Sequence, residues 1–400
     1  MPNQRIVNLS EFVRRGELFS PPGDSNRIEA FIPTPVSENH ASNLVELSNG
    51  DLLCTWFAGT EEGNRDIKIL LSRLPAGGGA WTEPIRLSDD YNHSEQNPML
   101  FAAPDGRVYL FWTAQETRGG LRSDWNARKA RGEVHGGFTL QWTSIVRRRI
   151  SADNGHTWGP IETAFSRPSS FIRHPIIVMS NGEWLFPFYY SLETQAGDHA
   201  DDYSVMLISH DEGQTWQEYE VPHSRGRVHA SVHELAPGKL IAFFRSRAAD
   251  RIYVSHSEDF GRTWIVPERT ALPNNNASMR SVVLQSGALA MIFNNYSAQM
   301  ENPAATIWPQ RRWPVTVALS EDGGQTWPYM RHVETGDDFA GDANERLNRR
   351  LSYPYILQSR DGALHITYSY RDRQCIKYVR VSEQWIRDLR GDLRAALAWQ

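Results

Sequence analysis

The sequence predicts an all-β chain folded as a six-bladed β-propeller of four-stranded antiparallel blades, and three observations carry that expectation. Four eight-residue segments repeat the pattern Ser-x-Asp-x-Gly-x-Thr-Trp. Six turn glycines, each set between two apolar runs, recur along the chain. A third apolar strand follows most of these hairpins and leads into the repeated segment.

The repeated segments are Ser151–Trp158, Ser209–Trp216, Ser257–Trp264 and Ser320–Trp327, with a decayed copy between Ser72 and Trp81. Asp and Gly at these offsets make a tight turn, because the carboxylate caps local N–H groups and Gly supplies a positive φ. The Trp then packs between neighbouring sheets. The hairpin turns are centred on Gly50, Gly106, Gly182, Gly238, Gly287 and Gly362. Asn-Gly or Asp-Gly between apolar runs is a strong short-range hairpin signal. Third strands such as IKILLSR, SVMLISH, RIYVSHS and VTVALSE complete the units. Six units follow, or seven blades if a split blade is hidden in the termini. Long loops are expected at Ala114–Gly137 and Ser297–Arg312. Arg27–Pro35 supplies a closing strand after a short N-terminal arm. Trp385, Leu389, Leu393 and Leu397 give Gln384–Gln400 helical spacing, read as a packed cap. No linker divides the chain, so residues 1–400 read as one domain.

The chain has 400 residues, 40% hydrophobic and 11% aromatic, enough for a sizeable core. A formal net charge of −5 argues against nucleic acid or an anionic membrane as partner. Only four of its 42 Lys and Arg residues are lysine. A surplus of arginine suits an acidic ligand, since the planar guanidinium matches a carboxylate, although coding bias produces the same surplus. Two cysteines, Cys54 and Cys375, make no disulfide framework. The N-terminus shows no secretory leader and no run of about 18 apolar residues occurs, so a cytoplasmic protein is expected, or a secreted one if a leader has been removed.

In a propeller, the start of each innermost strand and the end of the next crowd one mouth of the axial channel. Counting from the turn glycines brings His40, Gln96, Arg173 with His174, His229, Arg280 and Tyr353 to that mouth. Second-strand ends add Trp56, Trp112, Tyr189, Arg245 with Arg247, and Arg371. Histidine, arginine, tyrosine and amide groups together can bind a carboxylate, move protons and stack on sugar rings. Singly, each has a duller structural reading; six units delivering polar groups to one place is what points to a site. The histidines lack zinc-site spacing and no phosphate loop is present, so neither metal nor cofactor is expected.

The Ser-x-Asp-x-Gly-x-Thr-Trp segments resemble the Asp-boxes (BNR repeats) of the sialidase superfamily, over roughly Phe31 to Trp385. The resemblance implies a propeller with three arginines on a substrate carboxylate, a tyrosine nucleophile activated by a glutamate, and an aspartate acid/base. The segment FFRSRAADRIYVSHSEDFGRTW places the second arginine at Arg245. RRWPVTVALSEDGGQTW places the third at Arg312, and SYPYILQSRDG the nucleophile at Tyr353. Asp66 lies near the acid/base position. Two departures stand out: His40 replaces the first arginine, and His229 stands where the glutamate is expected. A tyrosine of pKa about 10 without its glutamate is a poor nucleophile at neutral pH.

These departures lead the sequence reading to a carbohydrate-active enzyme acting on a terminal acidic sugar, foremost by uronate β-elimination. His40 or His229 would be the base, Tyr353 the acid, and Arg245, Arg312 and Arg280 the carboxylate clamp, with Arg173, His174, Gln96 and Arg350 lining the sugar site. The alternatives are an exo-α-sialidase, with Tyr353 attacking and Asp66 as acid/base, and a non-catalytic glycan-binding propeller. The partner in each case is an acidic glycan.

Overall fold

The computed structural model describes residues 15–193, 199–298, 306–309, 311–335 and 350–388. Six antiparallel sheets form in succession. Blade 1 comprises Glu38–Glu46, Leu52–Gly59, Lys68–Leu74 and Ile85–Arg86, inner strand first. Blade 2 follows with His93–Ala102, Val108–Thr117, Thr139–Ser151 and Glu162–Phe165. In blade 3 the inner strand is split into Ser170–Ile172 and Ile177–Val178, both paired with Trp184–Tyr190; Tyr203–Ser209 and Gln217–Glu220 complete it. Pro175, which has no N–H to donate, sits in the split. Blade 4 holds Arg227–Ala236, Lys239–Ser246, Arg251–Ser257 and Glu268–Pro273. Blade 5 holds Arg280–Val283, Leu289–Asn294, Val315–Ser320 and Tyr329–Glu334.

Blade 6 takes Ser352–Gln358, Leu364–Tyr370 and Cys375–Val381 from the end of the chain and its outer strand, Ile28–Ile32, from the beginning. The expected closing strand therefore completes the sixth blade, and the ring has six blades rather than seven. A buried ionic cluster reinforces the seam. Lys377 Nζ lies 2.6 Å from Glu334 and 3.0 Å from Glu29, and Arg27 also pairs with Glu29.

Interleaved apolar faces make six cores, one between each pair of neighbouring blades. Phe57 and Ile69 meet Leu100 and Leu110 between blades 1 and 2, and Phe111 and Val146 meet Phe186 and Val205 between blades 2 and 3. The other four interfaces repeat the arrangement. Each such fully buried side chain contributes about 1.5–3 kcal/mol of transfer free energy, which sets a rigid frame around the axis.

The Asp-box turns lie at the end opposite the mouth and form as expected. In the third, Ser257 Oγ donates to Asp259 Oδ1 at 2.8 Å, and Asp259 accepts Thr263 N at 2.8 Å and Thr263 Oγ1 at 2.7 Å. Gly261 there has φ +83°, and a Cβ on it would come within 2.6 Å of Leu185. Trp264 packs into the core between blades 3 and 4. In the tail, Glu383–Arg387 is helical and buries Trp385 and Ile386. Leu389, Leu393 and Leu397 lie outside the described residues. The loop of blade 2 carries a helix, Arg122–Ala130, with no buried residue of its own.

Candidate active site

What the sequence pattern did not reveal is a repeated irregularity at the mouth. The inner strands of blades 1, 2, 4 and 6 each slip register by one residue, between His40 and Asn43, Gln96 and Met99, Val228 and Ser231, and Ser352 and Tyr355. Within each slip one non-glycine residue has positive φ: Ala41 (59°), Asn97 (49°), His229 (55°) and Tyr353 (53°). Bulges of this kind re-aim side chains, and a strained left-handed residue persists only where its surroundings hold it. Two of the four strained residues, His229 and Tyr353, face each other across the mouth.

Tyr353 is the centre of the site. Its hydroxyl accepts a hydrogen bond from Arg245 Nη1 at 2.7 Å. The His40 ring lies 4.2 Å from its ring centroid, and His229 stands edge-on at 5.8 Å. The guanidinium carbons of Arg173 and Arg312 lie 5.3 Å and 5.5 Å from the same ring. His40, His229, Arg245 and Arg312 thus cluster around the Tyr353 ring.

The surroundings decide which atoms are available. Arg245 Nε donates to Asn276 Oδ1 at 2.7 Å, while its Nη2 has no protein partner. Arg312 Nη1 is likewise buried without a partner. Neither arginine is paired with a carboxylate among the described residues. Arg247 is neutralised by buried Asp202, and exposed Trp308 lies 5.3 Å from the guanidinium carbons of both Arg245 and Arg247. His40 Nδ1 shares a hydrogen bond with Ser369 Oγ at 2.7 Å, leaving Nε2 without a partner; His229 Nε2 approaches Tyr189 OH at 3.3 Å, leaving Nδ1 without one.

Charge follows from this packing. Burial alone would raise the Tyr353 phenol, but Arg245 and then Arg312 pull it below its usual value of 10. Burial, reinforced by Arg373 and Arg312, pushes His40 well below 6.5; burial with Arg245 and Arg247 does the same to His229. Both imidazoles are neutral at physiological pH. Burial lowers Arg312 to about 9.

The remaining expected residues fall elsewhere. The Asp66 carboxylate accepts Thr60 N at 2.9 Å and Thr60 Oγ1 at 3.0 Å, capping its own exposed loop. The carboxylate of that loop that does reach the site is Glu62, held at about 2 despite burial by Arg373, then Arg122. Arg373 Nη1 bridges Glu62 and Glu38 at 2.6 Å each. Arg173 crosses the axis, donating to the carbonyls of Ala41 and Ser42 at 3.1 Å and 3.2 Å and to Ser278 at 3.1 Å. These are carbonyls beside the blade 1 bulge, so Arg173 is a brace as much as a ligand. Gln96 is buried and donates to Ser94 at 3.1 Å. Arg350 donates to Asp372 at 2.9 Å beside Arg312, with which its backbone bridges. His174 and Arg280 lie one layer deeper, around Tyr355. Arg373 and Glu62 were missed; the signal was the charged turn YRDRQ, where Arg371, Asp372 and Arg373 all have positive φ.

Residues 50–366 match the BNR repeat-like domain. A sialidase of Bacteroides fragilis (strain YCH46) is 25% identical over 329 residues, 76% of this chain; the chain spans only 55% of that relative's length. A Hadza microbial sialidase superposes with TM-score 0.67 at 20% identity, covering 88% of this chain and 67% of its own. The intramolecular trans-sialidase from Ruminococcus gnavus gives TM-score 0.63 at 15% identity, covering 93% and 98%.

Proposed function

We propose that this chain, which belongs to the BNR repeat-like domain family, is a sialidase-type glycosidase that removes a terminal acidic sugar with Tyr353 as nucleophile. One observation carries the reading: the Tyr353 hydroxyl receives Arg245 Nη1 at 2.7 Å, amid buried arginines that have donors to spare. Arg245 Nη2 and Arg312 Nη1 provide charge-assisted contacts for a sugar carboxylate. Tyr353 Oη attacks the anomeric carbon, the bond to the leaving oxygen breaks, and water then releases the sugar from the tyrosine. The phenolic proton is lost to solvent before attack, because Arg245 and Arg312 hold the phenol below its usual value, and the departing oxygen takes a proton from water at the mouth. Arginine stabilisation of the phenolate offsets the missing carboxylate. Glu62, kept ionised by Arg373, positions that arginine beside His40, where the first arginine of the family would stand.

Uronate β-elimination, the foremost reading from sequence, gains no support from the sialidase relatives, and their chemistry favours the hydrolytic alternative. Aryl α-ketosides of sialic acids test the choice. Release of the aryl group by the wild type and its loss in Tyr353→Phe are expected. New ultraviolet absorbance from uronate oligosaccharides, with no ketoside cleavage, would overturn the proposal.

A further inference from the structure

Beneath the reaction site, the axial channel holds a second group of polar side chains that the hydrolysis above does not use. Arg280 is 8% exposed, and no carboxylate pairs with it among the described residues. Its Nη1 reaches Ser231 Oγ at 3.3 Å, its guanidinium carbon stands 5.4 Å from the Tyr355 ring, and its Nε is buried without a partner. The His174 ring lies 6.5 Å from Tyr355, is 1% exposed, and has no side-chain hydrogen-bond partner at either nitrogen. His233 Nε2 contacts Ser281 Oγ at 2.8 Å, and Ser281 Oγ contacts Ser231 Oγ at 2.8 Å. Blades 3, 4, 5 and 6 therefore each contribute a polar group to one buried cluster. Arg173, braced onto the blade 1 carbonyls, stands between this layer and Tyr353.

A buried guanidinium without a counter-charge is costly, and proteins meet that cost with a paired ion or a bound one. We infer that the axial channel binds a small inorganic anion of the halide class, held by Arg280 with His174 and the Ser231–Ser281 hydroxyls. A lining this deeply buried admits no sugar, so the occupant must be as small as an ion. The electrostatics agree: burial and the nearby Arg280 charge depress both His174 and His233, the latter to about 3, and an anion in the channel relieves that field. This site is independent of the reaction assigned above, since Tyr353 lies in the layer on the far side of Arg173.

Bromide replaces chloride and scatters anomalously, so crystals grown with bromide give a direct reading. An anomalous peak beside the Arg280 guanidinium is expected in the wild type and in Tyr353→Phe alike. Bromide found only on the surface, or only at Arg245 and Arg312, overturns the inference. In solution at fixed ionic strength, exchanging gluconate for chloride should raise the Tm of the wild type by about 2 °C or more. Arg280→Gln should abolish that rise; an equal rise in Arg280→Gln, or none in the wild type, counts against the site. Should Arg280→Gln not fold, the wild-type bromide map decides alone.

Discussion

The Tyr353 hydroxyl and Arg245 Nη1 are 2.7 Å apart, although 108 residues separate them in the chain. The bulge in the inner strand of blade 6 delivers the phenol, and the end of the second strand of blade 4 delivers the guanidinium. That pairing favours the phenolate against both burial and the charge of nearby Glu62. Tyr353→Phe should therefore lower kcat by about 10³-fold or more with little change in Tm, because the ring stays packed and only the reacting atom is lost. Steady-state kinetics on an aryl ketoside and a thermal scan check both halves.

Arg312 and Arg245 should separate kinetically. Arg312 touches the Tyr353 ring and presents a spare donor, so Arg312→Lys should raise KM by about 10²-fold, with a smaller fall in kcat. Arg245 also stabilises the phenolate, so Arg245→Lys should lower kcat as well. Activity should rise with pH as Tyr353 ionises, with a midpoint below 10. Removing either cation should move that rise to higher pH. A pH profile unchanged in Arg312→Gln would show that its charge does not act on Tyr353.

The ring and its axial residues were legible because they are written locally. Each Asp-box is closed within eight residues, each hairpin turn has its glycine, and counting from those glycines reaches His40, His229 and Tyr353. Glu62 and Arg373 were not, because their ion pair spans 311 residues and joins two loops whose approach depends on ring closure. Asp66 is ambiguous for the opposite reason. A carboxylate six residues from Thr60 satisfies its own turn, and sequence spacing does not distinguish that cap from an acid facing the substrate. The bulges were also hidden: one extra residue in an apolar strand leaves no mark in the hydrophobic pattern.

Acid should destabilise this fold early. Burial, the largest cause in each case, depresses His40, His174 and His229 well below 6.5, His233 to about 3 and His365 to about 4. The unfolded chain binds protons at these histidines near pH 6.5, whereas the folded one does not. Their contribution is complete above that pH and is lost as pH falls, at about 1.4 kcal/mol per unit for each histidine. For His365 the loss stops near pH 4, and for His233 near pH 3. Tm should fall steeply between pH 6.5 and 5. A flat Tm across that interval would mean the histidines are already protonated in the folded state.

The seam of the ring offers the last test. Lys377 is buried between Glu29, on the N-terminal strand, and Glu334, on blade 5, at 3.0 Å and 2.6 Å, so one ammonium ties three elements. Both carboxylates raise its affinity for the proton against the effect of burial. Lys377→Met removes the cation and leaves Arg27 to serve two buried carboxylates, an imbalance that should cost about 3–5 kcal/mol. Adding Glu334→Gln to Lys377→Met should recover part of that loss, because the residual charge rather than the missing contact is the larger penalty. Denaturant unfolding of the four combinations measures the coupling directly. If Lys377→Met unfolds at the wild-type midpoint, the cluster does not hold the ring closed, and strand pairing between Ile28–Ile32 and Cys375–Val381 must do so alone.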